Sequence, residues 1–260
     1  MATSESTHRT IEDLVRAGSG LIGASTGAAL GALAGGPEGA IIGAAAGSLF
    51  ASGVSAVANE VKERLLGPRE IQRIGAALVA AVQHYEKAIA EGRTPREDGF
   101  FDVANGRAAA EEVIEAVLLV AQREHQEKKL ERLGALLANI AFDETVNAEQ
   151  ANLLVKLAED LSYRQLCLIA FFGSDIGTRT RDQSYAKAGI LETNVIALLV
   201  EIYMLYTRGL LNCSGTALLS IADIVPAKMR TQGIGAVLHN LMELSELPND
   251  DILEIWGELM

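Results

Sequence analysis

The residues that could carry chemistry are few and badly spaced for it. The histidines are His8, His84, His125 and His239, and none stands in HExxH, in ExxH or at a metal-ligating interval from a cysteine. His84-Tyr-Glu86 and His125-Gln-Glu127 match HxE, but no PCxxC follows to complete a zinc deaminase site, and both read as exposed helix surface. Glu111, Glu112 and Glu115 would share a helix, yet without an ExxH partner they form a solvated acidic face rather than a di-metal site. Arg123-Glu-His-Gln-Glu-Lys-Lys129 reads as a hydrated helix junction. Gly23-Ala-Ser25-Thr-Gly27 spells GxSxG, and Gly18-Ser-Gly-Leu-Ile-Gly23 spells GxGxxG. A nucleophile elbow and a dinucleotide loop both need a preceding strand, and here both matches fall inside a helical pattern dense in glycine. Cys167 and Cys213 stand alone in the sequence and read as buried reduced thiols. The expectation is no catalytic residue, no metal and no cofactor.

What the sequence does organise is a stripe of glycine. Gly23, Gly27, Gly31, Gly35, Gly39, Gly43 and Gly47 recur at every fourth residue, flanked in register by Ser19 and Ala51. Between Ala17 and Asn59 the one charged residue is Glu38. A four-residue step keeps side chains on nearly one helix face, and each glycine costs a helix about 1 kcal/mol relative to alanine. The use that offsets such a cost is close backbone approach between helices, as in membrane helix pairs. Thr10-Ile-Glu-Asp13 has the form of a capping box, and Gly35-Gly36-Pro37-Glu38-Gly39 signals a turn. Residues 17–36 and 39–58 therefore read as two arms of a helical hairpin, each about 30 Å long, the thickness of a bilayer core. Arg9, Arg16, Lys62, Arg64 and Arg69 flank the open end, so the positive-inside rule places residues 60–260 in the cytoplasm. The arms are richer in Ala and Gly than in Leu and Phe, which makes their insertion energy marginal. Burial in a soluble form before insertion fits that marginality. The acidic residues in 1–16 and the long, turn-broken apolar stretch argue against a secretion signal.

The remainder predicts helices. Hydrophobic residues make up 49% of the chain but aromatics only 5%, a balance that favours an all-α fold. The formal charge of −12 disfavours a nucleic-acid partner. Apolar spacing predicts a helix from Pro68 to about Glu91, a polar connection over 92–106 pinned by Phe100 and Phe101, and a helix near 107–127. Further helices follow with inner faces Leu130, Leu133, Leu136, Leu137 and Ile140, then Leu153, Leu154, Leu157 and Leu161. Ser162-Tyr-Arg-Gln165 predicts a capping box opening the next helix. Residues 173–189 read as a linker or hinge. Residues 190–208 read as an apolar helix with Ile196, Leu199, Ile202 and Leu205, followed by short strands near 209–212 and 221–225 and helices over 233–246 and 249–259. The organisation expected is a lead (1–16), a glycine-zipper hairpin (17–58), a helical domain (68–175) and a winged-helix-like C-terminal domain (190–260).

The stretch Glu124–Gly173 resembles helical domains of bacterial abortive-infection proteins of the Abi-alpha kind. The resemblance lies in Leu133-Gly-Ala-Leu-Leu-Ala-Asn-Ile-Ala-Phe-Asp143 and Leu161-Ser-Tyr-Arg-Gln-Leu-Cys167. Gly233 to Leu244 followed by Leu247-Pro-Asn-Asp-Asp251 is similar in flavour, and the hairpin resembles two-helix segments of membrane-active toxins and defence effectors. These resemblances imply a membrane-disrupting antiviral effector at the cytoplasmic face of the bacterial inner membrane. They imply a homo-oligomer, a lipid partner and a possible regulatory protein partner. The alternatives are a soluble adaptor or antitoxin-like module with a permanently buried hairpin, and an enzyme with an unrecognised site near Arg179–Lys187.

Overall fold

A computed structural model describes residues 12–21, 46–62, 67–104, 107–215 and 217–260. Most of these residues are helical, as the composition predicts. They fall into two compact units that divide between Asp160 and Leu161.

In the first unit, residues 12–21 are helical, and five helices follow. These are α1 (Ala46–Lys62), α2 (Pro68–Ala90), α3 (Ala109–Arg123), α4 (Lys128–Ile140) and α5 (Ala148–Asp160). Helix α2 starts where Pro68 supplies a preset φ at the first turn. The Glu70 carboxylate accepts the Gly67 backbone N–H at 2.6 Å and the Gln122 side-chain amide at 3.0 Å, which holds its pKa below the usual carboxylate value. Helices α2 and α4 pack most extensively, and α3 lies against α1, α2 and α5. The α2–α4 pair is close because its contact residues are small. A side chain at Gly134 would collide with Ala77, Ala80 and Ala81 of α2.

The connection before α3 contains a two-residue antiparallel pair, β1 (Val103–Ala104) with β2 (Arg107–Ala108). Phe100 is buried there as expected, with Phe101 edge-on to it at 5.6 Å. The buried Arg96 fastens the segment: its guanidinium donates to the carbonyls of Val146 (2.8 Å) and Ile140 (3.3 Å) and stacks 4.1 Å over Phe100. Helix α5 departs from the leucine pattern. Its buried stripe is Ala151, Leu154, Val155 and Ala158, while Leu153 is 50% exposed. Small alanines permit close packing on that face, and it displaces the Leu153 face to solvent.

The second unit is built around α6 (Tyr163–Gly173), an apolar helix contacted by α7 (Thr193–Thr207), α8 (Ile234–Leu241) and α9 (Asn249–Leu259). The predicted capping box is formed: the Gln165 backbone donates to the Ser162 hydroxyl at 3.2 Å, and the Ser162 backbone donates to the Gln165 side chain at 3.0 Å. Strands β3 (Leu211–Cys213) and β4 (Met229–Thr231) pair antiparallel between α7 and α8. The second predicted strand is misplaced. Residues Ile221–Asp223 form a 3-10 turn because the Asp223 carboxylate accepts the backbone N–H groups of Leu219 and Ser220 at 3.1 and 2.8 Å. The helix predicted over 233–246 stops at Leu241, and Glu243 then takes a left-handed φ of 48°.

Residues 173–189, read as a linker or hinge, contain two 3-10 turns, Asp175–Arg179 and Tyr185–Lys187. Arg181 is the knot in this segment. Its backbone N–H donates to Leu259 and its carbonyl accepts from Ala227, while its guanidinium reaches the carbonyls of Gln183 and Ser184 and stacks over Tyr185.

Candidate functional site

The described parts of the glycine-striped segment lie at its two ends, and both ends are buried in the first unit. Gly23, Gly27, Gly31, Gly35, Gly39 and Gly43, and the turn at 35–39, lie outside the described residues. Gly47 falls within α1. Among the described residues, no helix is long and apolar enough to cross a membrane.

At the first end, Leu14 and Val15 are fully buried, and Gly18 meets Gly75 of α2. A side chain at Gly18 would fall on the backbone of Gly75 and Ala76, and one at Gly75 would fall on the Leu14 carbonyl and 2.9 Å from the Gly18 nitrogen. The two backbones therefore cross with nothing between them. Gly18 lies one residue out of register with the glycine stripe, so this crossing is a contact of the preceding turn and not of the stripe itself. Ser19 returns its hydroxyl to the Val15 carbonyl at 2.6 Å, which satisfies a buried polar group within its own helix.

At the second end, Phe50, Val54, Val57, Ala58 and Val61 are buried. Phe50 stacks on Tyr85 of α2 at 4.4 Å and 8°, and Tyr85 in turn meets Phe142 at 4.8 Å. A side chain at Gly53 would lie 3.1 Å from the Ile114 Cδ1 of α3. Burying each of these large side chains is worth on the order of 1.5–3 kcal/mol. Undocking α1 therefore requires a bilayer, a partner or an assembly that returns a comparable amount.

Tyr85 is the one polar group in that contact. Among the described residues its hydroxyl has no hydrogen-bond partner, and burial pushes its pKa up to about 12. The folded state thus holds the phenol proton more tightly than the unfolded chain, whose value is about 10. The resulting stabilisation is complete below pH about 10 and is lost as pH rises through about 12. Tyr85→Phe should be neutral or stabilising by up to about 1 kcal/mol, since it removes an unsatisfied buried hydroxyl and keeps the ring stack. It should also flatten the alkaline loss of stability. Urea unfolding at pH about 8 and about 11 reads both effects; a loss above about 1 kcal/mol at the lower pH would mean the hydroxyl is bonded.

His8 and the GxSxG match lie outside the described residues, as does Gly23 of the GxGxxG match; the other candidates are placed as follows. Arg107 pairs with Glu111 at 3.7 Å and Glu115 at 2.8 Å, so these carboxylates are bound to a cation and not simply solvated. His125 is exposed, but His84 is buried, against its reading as helix surface. The segment 123–129 is hydrated only in part. Glu124 and Lys129 are both buried and form an ion pair; Glu124 also accepts the Gln126 N–H, and Lys129 donates to the Glu159 carbonyl. The α3–α4 corner brings both residues inward against the end of α5, a juxtaposition that a run of charged residues does not reveal. Cys167 and Cys213 are buried and form no disulfide, as expected.

No protein family matches the chain, and no curated protein and no solved structure is significantly similar to it.

Proposed function

We propose that this chain is a non-enzymatic, membrane-disrupting effector of the abortive-infection kind whose helical body holds the glycine-striped hairpin in a resting state. The burial of residues flanking the stripe on both sides, Leu14 and Val15 before it and Phe50, Val54 and Val57 after it, with Gly18 crossed on Gly75, supports this reading. On release, the stripe would pair arm to arm and copy to copy through Gly23, Gly27, Gly31, Gly35, Gly39, Gly43 and Gly47. The inserted hairpin would leave residues 60–260 on the cytoplasmic face of the inner membrane. The C-terminal unit, winged-helix-like in its helix–strand–strand–helix order, would serve as the regulatory part and meet a protein partner rather than nucleic acid, in keeping with the chain's net charge of −12. Lipid and further copies of the chain are the partners this requires, with no cofactor.

Leakage of dye from anionic vesicles tests it. Full-length protein should release dye, and Gly31→Leu should abolish release by blocking helix approach while the circular dichroism of the body stays unchanged. Undiminished leakage in that variant overturns the zipper mechanism. Deleting residues 1–58 is the poorer test, because it also strips Phe50, Val54 and Val57 from the core.

The same burial favours a second reading, a soluble oligomeric adaptor whose hairpin stays docked. That protein would leave vesicles intact under every condition and would remain in the soluble fraction after carbonate extraction.

A further inference from the structure

We infer that Arg93 and Phe142 are a latch on α1: they hold Tyr85 against Phe50, and moving Phe142 loosens α1 from the body. The inference rests on the reading that α1 is released, and it names the place from which release is controlled. Phe50 of α1 stacks on Tyr85 of α2, and Tyr85 meets Phe142 in the turn after α4. The Arg93 guanidinium lies 4.7 Å over the Phe142 ring and donates to the Asn139 Oδ1 at 2.5 Å. A guanidinium and three rings thus run in series from the exposed Arg93 to the buried Phe50.

Ordinary core packing would make such a series rigid, and here it is not closed off. Tyr85 is 5% exposed, yet its hydroxyl has no hydrogen-bond partner among the described residues. A bonded hydroxyl would fix the phenol whatever its neighbours did. Without that bond, packing alone places the ring, and Phe142 and Phe50 are part of that packing. A ring in a close-packed interior has no space to leave its position. Phe142 has that space: it is half-buried, and it lines a cleft of about 440 Å³ between residues 94–97 and 142–145. Phe50 has some as well, because it borders a small apolar void with Phe101 and Ile114. What keeps Phe142 inward is an Arg93 contact at the surface, where a cation–π interaction is weaker than in a desolvated site. The cleft therefore gives access to the outer end of the series. Val54 and Val57 also hold α1, so the latch biases docking and does not make it alone.

Thiol labelling of the full chain, without lipid, tests the latch. In a Cys167→Ala, Cys213→Ala background, Val54→Cys reports the opening of α1, because Val54 is fully buried. Leu154→Cys on α5, equally buried, reports opening of the unit as a whole. Arg93→Ala should speed labelling at position 54 about threefold, for loss of a surface cation–π contact. Phe142→Leu should speed it about tenfold, for loss of a ring pair. Neither should change labelling at position 154. Arg93 is exposed, so its variant carries the test if Phe142→Leu misfolds. Phe50→Leu should itself speed labelling, and in that background Phe142→Leu should add less than about twofold, because the series is already cut. Unchanged labelling at position 54 in Arg93→Ala, equal acceleration at positions 54 and 154, or fully independent effects of Phe50→Leu and Phe142→Leu would each overturn the latch. Dye release from vesicles is a separate readout: a chain that shows this coupling and leaves vesicles intact keeps the latch and loses the membrane role.

Discussion

Gly75→Val should destabilise the first unit by about 1–3 kcal/mol, towards the upper end of that range, and should drive residues 12–21 off α2. Two effects oppose each other at this position. Glycine inside a helix costs about 1 kcal/mol relative to alanine, so any side chain gains in helix propensity. Against that, a Cβ at Gly75 would overlap the Leu14 carbonyl, a backbone atom that no rotamer change can move. Steric overlap wins, because relief requires translating one helix away from the other and exposing Leu14 and Val15. Gly20 supplies the control, since nothing lies within 4 Å of a Cβ built there. Gly20→Ala should therefore be neutral or stabilising by about 0.5–1 kcal/mol. Thermal unfolding of the two variants should move in opposite directions. Equal stability for Gly75→Val and wild type would mean that the two backbones do not cross as described. If the body restrains the hairpin, Gly75→Val should also leak vesicles at a lower protein concentration than wild type.

Lys129→Met should cost about 3–5 kcal/mol, because it leaves the Glu124 carboxylate buried without its cation. The double variant Glu124→Leu, Lys129→Met should recover most of the loss, since replacing both members of a buried pair by apolar groups removes the desolvation cost as well as the attraction. The recovery will be incomplete, because Glu124 also accepts the Gln126 N–H and Lys129 donates to the Glu159 carbonyl. Urea unfolding of the two single variants and the double variant closes the cycle. A single-variant cost below about 1 kcal/mol would show that the pair is hydrated.

Much of the helical framework is legible in the sequence because its signals are local. Pro68 and the Ser162–Gln165 box mark helix starts, and the leucine spacing of 130–140 marks a buried face. Tertiary packing decided the rest. Leu153 and Ile196 have the apolar character of core residues, yet small residues at Ala151 and Ala158, and the inner row Leu198–Leu199–Ile202, already fill the available contacts. Glu124 and Lys129 carry no sequence mark of burial, because the turn between α3 and α4 that draws them in depends on α5. Gly75 and Gly134 were detectable in principle: each stands beside alanines at helical spacing, the pattern of close helix contact. Gly18 and Gly53 are readable as small residues in the sequence, but their partners on α2 and α3 are not.

If the body restrains the hairpin, a reversible lock on α1 should hold the protein silent. Cysteines at Gly53 and Ile114, facing one another across the α1–α3 contact, should form a disulfide in a Cys167→Ala, Cys213→Ala, Gly75→Val chain. The oxidised protein should leave anionic vesicles intact, and adding reductant should start dye release. Equal release before and after reduction would show that α1 stays docked while the protein acts; no release in either state would leave the buried hairpin as a permanent part of the fold and contradict the membrane role.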